Sequence, residues 1–298
     1  CFDRRIACEA VADDRLRVQA PGVFAAVDLP ADALDGPCPD PSLALLWPLL
    51  QRWAPRAGVS LRFDAGFPPT WGLGSSSASS LAAVGALAAL ADAEPDPIDV
   101  FASVLDAQRS LQGSASGYDV ATQLLGGCVA YRTRDGAGAW PSGDVALADG
   151  ASAERLPPRP DLQWIVAWTG AKASTGSMIR RVREDHPVGA PLYARIGDVA
   201  DRAIAAWRGG AAMGPLLNEG HDLLDQLGAV PEEVGAVVRA LQADPDVLGA
   251  RLCGAGGGDC VLLLAADPVY AGRAAQQHGL ELLPLHPAAD GLRSEPSS

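Results

Sequence analysis

Phe67-Pro-Pro-Thr-Trp-Gly-Leu-Gly-Ser-Ser-Ser-Ala78 runs directly into Ser79-Ser-Leu-Ala-Ala-Val-Gly-Ala-Leu-Ala-Ala-Leu90. Glycines and hydroxyl residues hand over to an alanine- and leucine-rich run without proline, the pattern of a loop feeding a helix. The first turn of a helix carries N–H groups with no intrahelical partner and the positive end of the macrodipole. Glycine lets a ligand approach the backbone, and serine adds hydroxyl donors. The stretch therefore reads in two ways. One is an anion site, with phosphate as the best-fitting ligand; the other is a serine-capped helix behind a glycine turn. Local sequence does not separate them.

Composition narrows the setting. The 298 residues allow one large or two ordinary domains, and the apolar content is 48 % with only 5 % aromatic, so the core is largely aliphatic and alanine. A net charge of −13 without a long basic run argues against nucleic acid and anionic membrane as partners. An anionic substrate has to be held by local donors against that field. No apolar run is long enough to span a bilayer, and Cys1-Phe-Asp-Arg-Arg-Ile6 is not followed by the hydrophobic stretch of a signal peptide. The six cysteines form no C-x-x-C pair and several lie in apolar runs, which reads as buried free thiols in a reducing cytoplasm. The four histidines show no ligand spacing, so no zinc site is expected.

Outward from the opening stretch, alternation predicts strands at Ile6–Val11, Leu16–Ala20, Val23–Leu29 and Val59–Phe63. A helix is expected from Ser42, as its N-cap, to Trp53, kinked or split at Pro48. The helix from about Ser76 to Asp92 is apolar nearly all round and should be buried; Pro95 and Pro97 end it, and Ile98–Leu111 forms the next. A second small-residue loop, Gln112-Gly-Ser-Ala-Ser-Gly-Tyr-Asp-Val-Ala121, leads through Gly126-Gly127 to the strand Cys128–Arg132. Residues 133–161 read in part as an irregular connection. The strand Leu162–Trp168 then opens into Thr169-Gly-Ala-Lys-Ala-Ser-Thr175, followed by helices, a third glycine loop at Gly254-Ala-Gly-Gly-Gly-Asp259, and the strand Cys260–Ala265. The last dozen residues look frayed. The interleaving predicts an α+β chain of two domains, 1–157 and 158–298, with the boundary at Pro157-Pro158.

Three glycine- and serine-rich loops in one chain say more than any one of them. None is a Walker A motif, since Gly-Lys-Ser/Thr occurs nowhere, and none has the Rossmann spacing. As a set they resemble the GHMP small-molecule kinase superfamily. Pro69-Thr-Trp-Gly-Leu-Gly-Ser-Ser-Ser-Ala78 is similar to its phosphate-binding motif, and Leu252-Cys-Gly-Ala-Gly-Gly-Gly-Asp259 to its C-terminal glycine motif. Ser116-Gly-Tyr-Asp119 is similar to a segment of mevalonate and phosphomevalonate kinases, Trp168–Thr175 to one of phosphomevalonate kinases, and Asn218-Glu-Gly-His-Asp-Leu-Leu to a helix of mevalonate kinases.

The resemblance implies a ribosomal S5 domain 2-like N-terminal domain, a ferredoxin-like C-terminal domain, ATP and Mg2+ as cofactors, and a small anionic acceptor, with a homodimer left open. It also implies residue roles. Gly72, Leu73, Gly74, Ser75, Ser76 and Ser77 would cradle the nucleotide phosphates, with Ser76 the magnesium ligand or, on the local reading, a cap. Asp119 would be the catalytic base; on local reading alone it could equally cap the next helix. Ser116, Gly117, Lys172 (the only lysine), Ser174 and Thr175 would meet the substrate, as would Gly254, Ala255, Gly256 and Gly257 in a loop closing over the phosphates. Gln108 stands where mevalonate kinases carry a magnesium-binding glutamate; a neutral amide is the poorer ligand, so phosphomevalonate is preferred over mevalonate. The superfamily's first motif, Pro-Gly-Lys/Arg ending in Gly-Glu-His/Tyr, is expected to precede residue 1. Two other readings are a binding protein on the same fold and a kinase for a sugar or homoserine.

Overall fold

The computed structural model describes residues 1–113, 115–133, 145–146, 150–170, 175–187, 189–254 and 256–295, with the backbone alone at 145, 146, 175–177 and 179. Chain contacts divide it into two compact units: Cys1–Pro68, Gly74–Arg155 and Ala288–Ser298 form one, and Pro69–Leu73 with Leu156–Pro287 the other.

The first unit begins with strands β1 (Ile6–Ala12), β2 (Arg15–Ala20) and β3 (Phe24–Pro30), continues through helix α1 (Trp47–Trp53), and adds β4 (Val59–Ala65). These strands form one sheet in the order β1-β4-β2-β3, with β2 and β4 parallel and the other neighbours antiparallel. Period-two alternation decides which face is covered. Leu16 and Val18 of β2 and Val59 and Leu61 of β4 are fully buried, while their chain neighbours face outward. Helix α2 (Ser75–Leu90) lies against this sheet, and α3 (Pro97–Gln112) and α4 (Tyr118–Leu125) pack beside it. Leu81, Val84 and Leu87 of α2 join Phe101, Val104 and Leu105 of α3 in the core. Each such side chain contributes about 1.5–3 kcal/mol on burial. Strands β5 (Val129–Arg132), β6 (Val145–Ala146) and β7 (Ser152–Arg155) make a small antiparallel sheet in the order β5-β7-β6.

Two local expectations are corrected. Asp40, not Ser42, is the cap: its carboxylate accepts from the Ser42 N–H at 2.9 Å and opens a 3-10 turn over Pro41–Leu43. Of the two outcomes expected at Pro48, the helix is split, and Pro48 sits in the first turn of α1, where its missing N–H costs nothing. The C-terminal segment is not frayed over its described part. Gly127 N–H donates to Ala288 O at 3.0 Å, Arg5 donates to Gly291 O at 2.9 Å and Asp290 O at 3.0 Å, and Leu292 packs on the core.

The second unit holds β8 (Gln163–Trp168), α5 (Thr175–Asp185), α6 (Pro191–Arg208), α7 (Gly214–Gln226), α8 (Glu232–Gln242), β9 (Val247–Leu252), β10 (Cys260–Ala265), α9 (Pro268–Gln277) and β11 (Glu281–Leu282). Its sheet runs β11-β8-β10-β9, every pair antiparallel. In chain order that is fourth, first, third, second, the split arrangement expected of a ferredoxin-like unit. Helix α7 is tied to β9 by side chains: Asn218 Oδ1 accepts from Ala250 N–H at 2.9 Å, and His221 Nδ1 accepts from Leu252 N–H at 3.3 Å. The Asn218-x-x-His221 spacing thus does structural work, and His221 is 1 % exposed. No described helix is long and apolar enough to cross a membrane.

Candidate active site

In the first unit the opening stretch resolves into a helix start without a side-chain cap. Gly74 is the N-cap, in left-handed backbone at φ 74°, and offers no side chain to cap α2; among the described residues no side-chain acceptor bonds to its first-turn N–H groups. The serine-capped reading therefore fails. Ser79 Oγ donates back to Ser75 O at 2.9 Å, and Ser75 and Ser76 are half-buried beside an open helix end. An uncapped first turn leaves backbone donors for a ligand.

Helix α4 supplies the facing chemistry. Gly117, at φ 84°, is its N-cap, and Asp119 stands in its first turn. The alternative of Asp119 as the cap is excluded, because the residue is already inside the helix. Its carboxylate points to α2 instead: Ser77 Oγ donates to Asp119 Oδ2. One turn on, Gln123 Nε2 donates to Gly74 O at 3.0 Å. Residues i and i+4 share a helix face, so Asp119 and Gln123 together register α4 against the start of α2. Gln108 of α3 completes the group, donating from Nε2 to Ser77 Oγ at 2.7 Å. Ser77 is fully buried and Gln108 is 3 % exposed. A hydrogen bond to a charged group contributes about 1.5–3 kcal/mol, more than a neutral one. Ser116 contributes its carbonyl to Tyr131 Oη at 2.6 Å.

The second unit holds the remaining loops. Gly72 packs against the side chain of Asp259, and the Asp259 carbonyl accepts from both the N–H and the hydroxyl of Thr169, at 2.8 and 2.9 Å. Cys260 Sγ lies 3.1 Å from Trp71 O. The stretch before Leu73 and the ends of β8 and β10 are thereby gathered in one place. Gly254, Gly256 and Gly257 all have positive φ, and the Gly257 N–H is committed to Ala229 O at 2.7 Å. Lys172, Ser174 and Ala255 lie outside the described residues, and Thr175 opens α5 with only its backbone described.

Sequence reasoning missed the Ser77–Asp119 pair and the part played by Gln123. The i, i+4 spacing of Asp119 and Gln123 was a usable signal, once the 118–125 segment is recognised as helix. Among the described residues no three His, Cys, Asp or Glu side chains gather into a metal set.

Comparison with known proteins gives the arrangement a family. The GHMP kinases N terminal domain matches residues 43–127, spanning the α2 start, Gln108 and Asp119. The GHMP kinases C terminal domain matches residues 202–281. The chain belongs to the GHMP kinase family. It is 30 % identical over 221 residues to the mevalonate kinase of Pyrococcus abyssi, covering 70 % of this chain and 60 % of that protein. It is 29 % identical over 254 residues to the phosphomevalonate kinase of Streptomyces sp. (strain CL190), covering 74 % and 66 %. The chain thus spans about three fifths to two thirds of the length of these relatives. The fold matches Streptococcus pneumoniae phosphomevalonate kinase, a structure in complex with phosphomevalonate and AMPPNP, with a TM-score of 0.74 over 94 % of this chain and 89 % of that one at 21 % identity. That likeness speaks for the two-domain α+β GHMP kinase fold.

Proposed function

We propose that this GHMP kinase transfers the γ-phosphoryl group of ATP to the hydroxyl of a small acceptor of the mevalonate pathway. The observation that carries the reading is Asp119, placed in the first turn of α4 and facing the uncapped N-terminus of α2. Phosphoryl transfer needs phosphates held in line and something to take the hydroxyl proton. The backbone donors of Gly72–Ser77 would hold the nucleotide phosphates. The acceptor oxygen forms a bond to the γ-phosphorus as the bridging P–O bond breaks; ADP leaves with that bond's electrons, and Asp119 takes the hydroxyl proton.

Phosphates beside a carboxylate call for a cation between them. Among its described residues the first unit offers one carboxylate there, Asp119, with serine hydroxyls and the Gln108 amide. That donor set fits Mg2+ carried in on the nucleotide, with Ser76 as its protein hydroxyl, rather than a cage of protein carboxylates. Such an ion would neutralise charge developing on the phosphates.

Phosphomevalonate is the preferred acceptor, on the Trp168–Thr175 segment and on Gln108 in place of a carboxylate. Mevalonate is the second reading, favoured by the likeness to the Pyrococcus protein. ADP release from the protein with MgATP and each acceptor in turn tests both. Turnover of phosphomevalonate alone supports the first, turnover of mevalonate alone the second, and turnover of neither refutes the pathway assignment.

A further inference from the structure

The buried side chains around Asp119 raise a question of proton count. Ser77 Oγ touches two polar atoms, Gln108 Nε2 and Asp119 Oδ2, yet a serine hydroxyl owns a single proton. Asp119 as a carboxylate only accepts, so the proton must go to Oδ2. Gln108 must then donate, and its amide orientation is fixed by that requirement. Ser77 is fully buried and Gln108 is 3 % exposed, so water does not offer either one a different partner.

We propose that Ser77 and Gln108 are positioning residues for Asp119. Gln108 keeps Ser77 as a committed donor to Oδ2, and the engaged Oδ2 leaves Oδ1 as the oxygen that receives the acceptor's proton. Both groups stand on helices, α2 and α3, so the carboxylate is aimed by rigid elements rather than by a loop. A glutamate in place of Gln108 would compete with Asp119 for the one serine proton; an amide that presents Nε2 to Ser77 does not. The proposal rests on the kinase reading, in which Asp119 is the base.

The test is a set of full-chain variants: Ser77→Ala, Gln108→Glu, Asp119→Asn and the Ser77→Ala/Asp119→Asn double. With the accepted substrate, Ser77→Ala should lower kcat on the order of 10- to 100-fold, the usual cost of a misaimed group, with KM for both substrates unchanged. In the Asp119→Asn background Ser77→Ala should cost nothing further, because it acts through the carboxylate. Gln108→Glu should lower kcat like Ser77→Ala. An unchanged kcat in Ser77→Ala, an additive loss in the double variant, or a raised kcat in Gln108→Glu would overturn the proposal. If the wild type turns over no acceptor, the kinase reading fails separately. The pair is then judged by urea unfolding of the wild type, Ser77→Ala, Asp119→Asn and double proteins. Non-additive midpoints uphold the coupling and additive ones remove it.

Discussion

A Cβ added to Gly72 would lie 2.3 Å from Cγ of Asp259 and 2.5 Å from its Cβ. The two residues are fixed from both sides. Gly72 sits at φ 68°, and Asp259 is itself one of two described non-glycine residues with positive φ, at 63°. Its carbonyl is held twice by Thr169. Neither partner can move away cheaply, since the near atoms of Asp259 include Cβ, the root of its side chain, as well as Cγ and Oδ2. Gly72→Ala should therefore destabilise the protein by about 1–3 kcal/mol, combining left-handed strain with the displaced contact. It should also lower nucleotide affinity. Urea unfolding and titration with a fluorescent ATP analogue measure the two effects, and an unchanged midpoint would contradict the packing.

Asp119→Asn keeps the shape of the side chain and removes its capacity to accept the hydroxyl proton. General base catalysis is typically worth about 10²- to 10⁴-fold, so kcat should fall by that order. A drop of less than about tenfold would show that Asp119 is not the base. The measurement is single-turnover ADP formation beside equilibrium binding of the nucleotide.

The C-terminal segment is part of the first unit's structure. A Cβ on Gly126 would meet Ala289 O and Gly291 N at 2.3 Å, and one on Gly85 would meet the Leu292 side chain at 3.1 Å. Leu292 is partly buried against the core. Leu292→Ala should cost about 1–2 kcal/mol, below the 2–5 kcal/mol of a fully buried leucine. Deleting residues 288–298 should cost more, because the carbonyls bonded by Arg5 and Gly127 go with it. Thermal unfolding followed by far-UV circular dichroism reads both, and an unchanged melting temperature in the deletion would overturn the account.

Much of this architecture was legible because it rests on short-range periodicity. The alternation of Leu16, Val18 and Ala20, and of Val59, Leu61 and Phe63, announces half-buried strands, and the all-round apolar run after Ser77 announces a buried helix. What the sequence hid depends on phase and distance. Three serines in a row look equivalent until Gly74 fixes where α2 starts; the helix phase then turns Ser77, rather than Ser76, toward Asp119. Helix α4 is hard to find because Ser-Ala-Ser-Gly precedes it and its eight residues make only about two turns. The grip of residues 288–292 on Arg5, Leu124 and Gly127 joins positions more than 150 residues apart, which no local pattern records.

Three shielded thiols, Cys260 buried and Cys8 and Cys253 half-buried, make stability depend on pH on the alkaline side. Burial pushes the Cys8 thiol up to about 12, with the Glu9 charge adding to it, and Cys253 up to about 11, from an ordinary value of 9.0. Cys260 is raised as well, first by burial and then by its neighbours Cys253 and Asp259. In the folded protein these thiols stay largely protonated at pH 9–10, whereas in the unfolded chain they ionise there. The unfolded state then holds fewer protons, so stability is intact below about pH 8 and falls as pH rises through 9 toward 11–12. Urea midpoints at pH 7.5, 9 and 10.5 should decline, and Cys253→Ala should flatten part of that decline if the variant folds. The same burial keeps thiolate scarce at neutral pH, so Cys8 and Cys253 should react with a disulfide reagent far more slowly in the native protein than in urea. Equal midpoints across this range, or immediate labelling of both native thiols at pH 8, would refute the assignment.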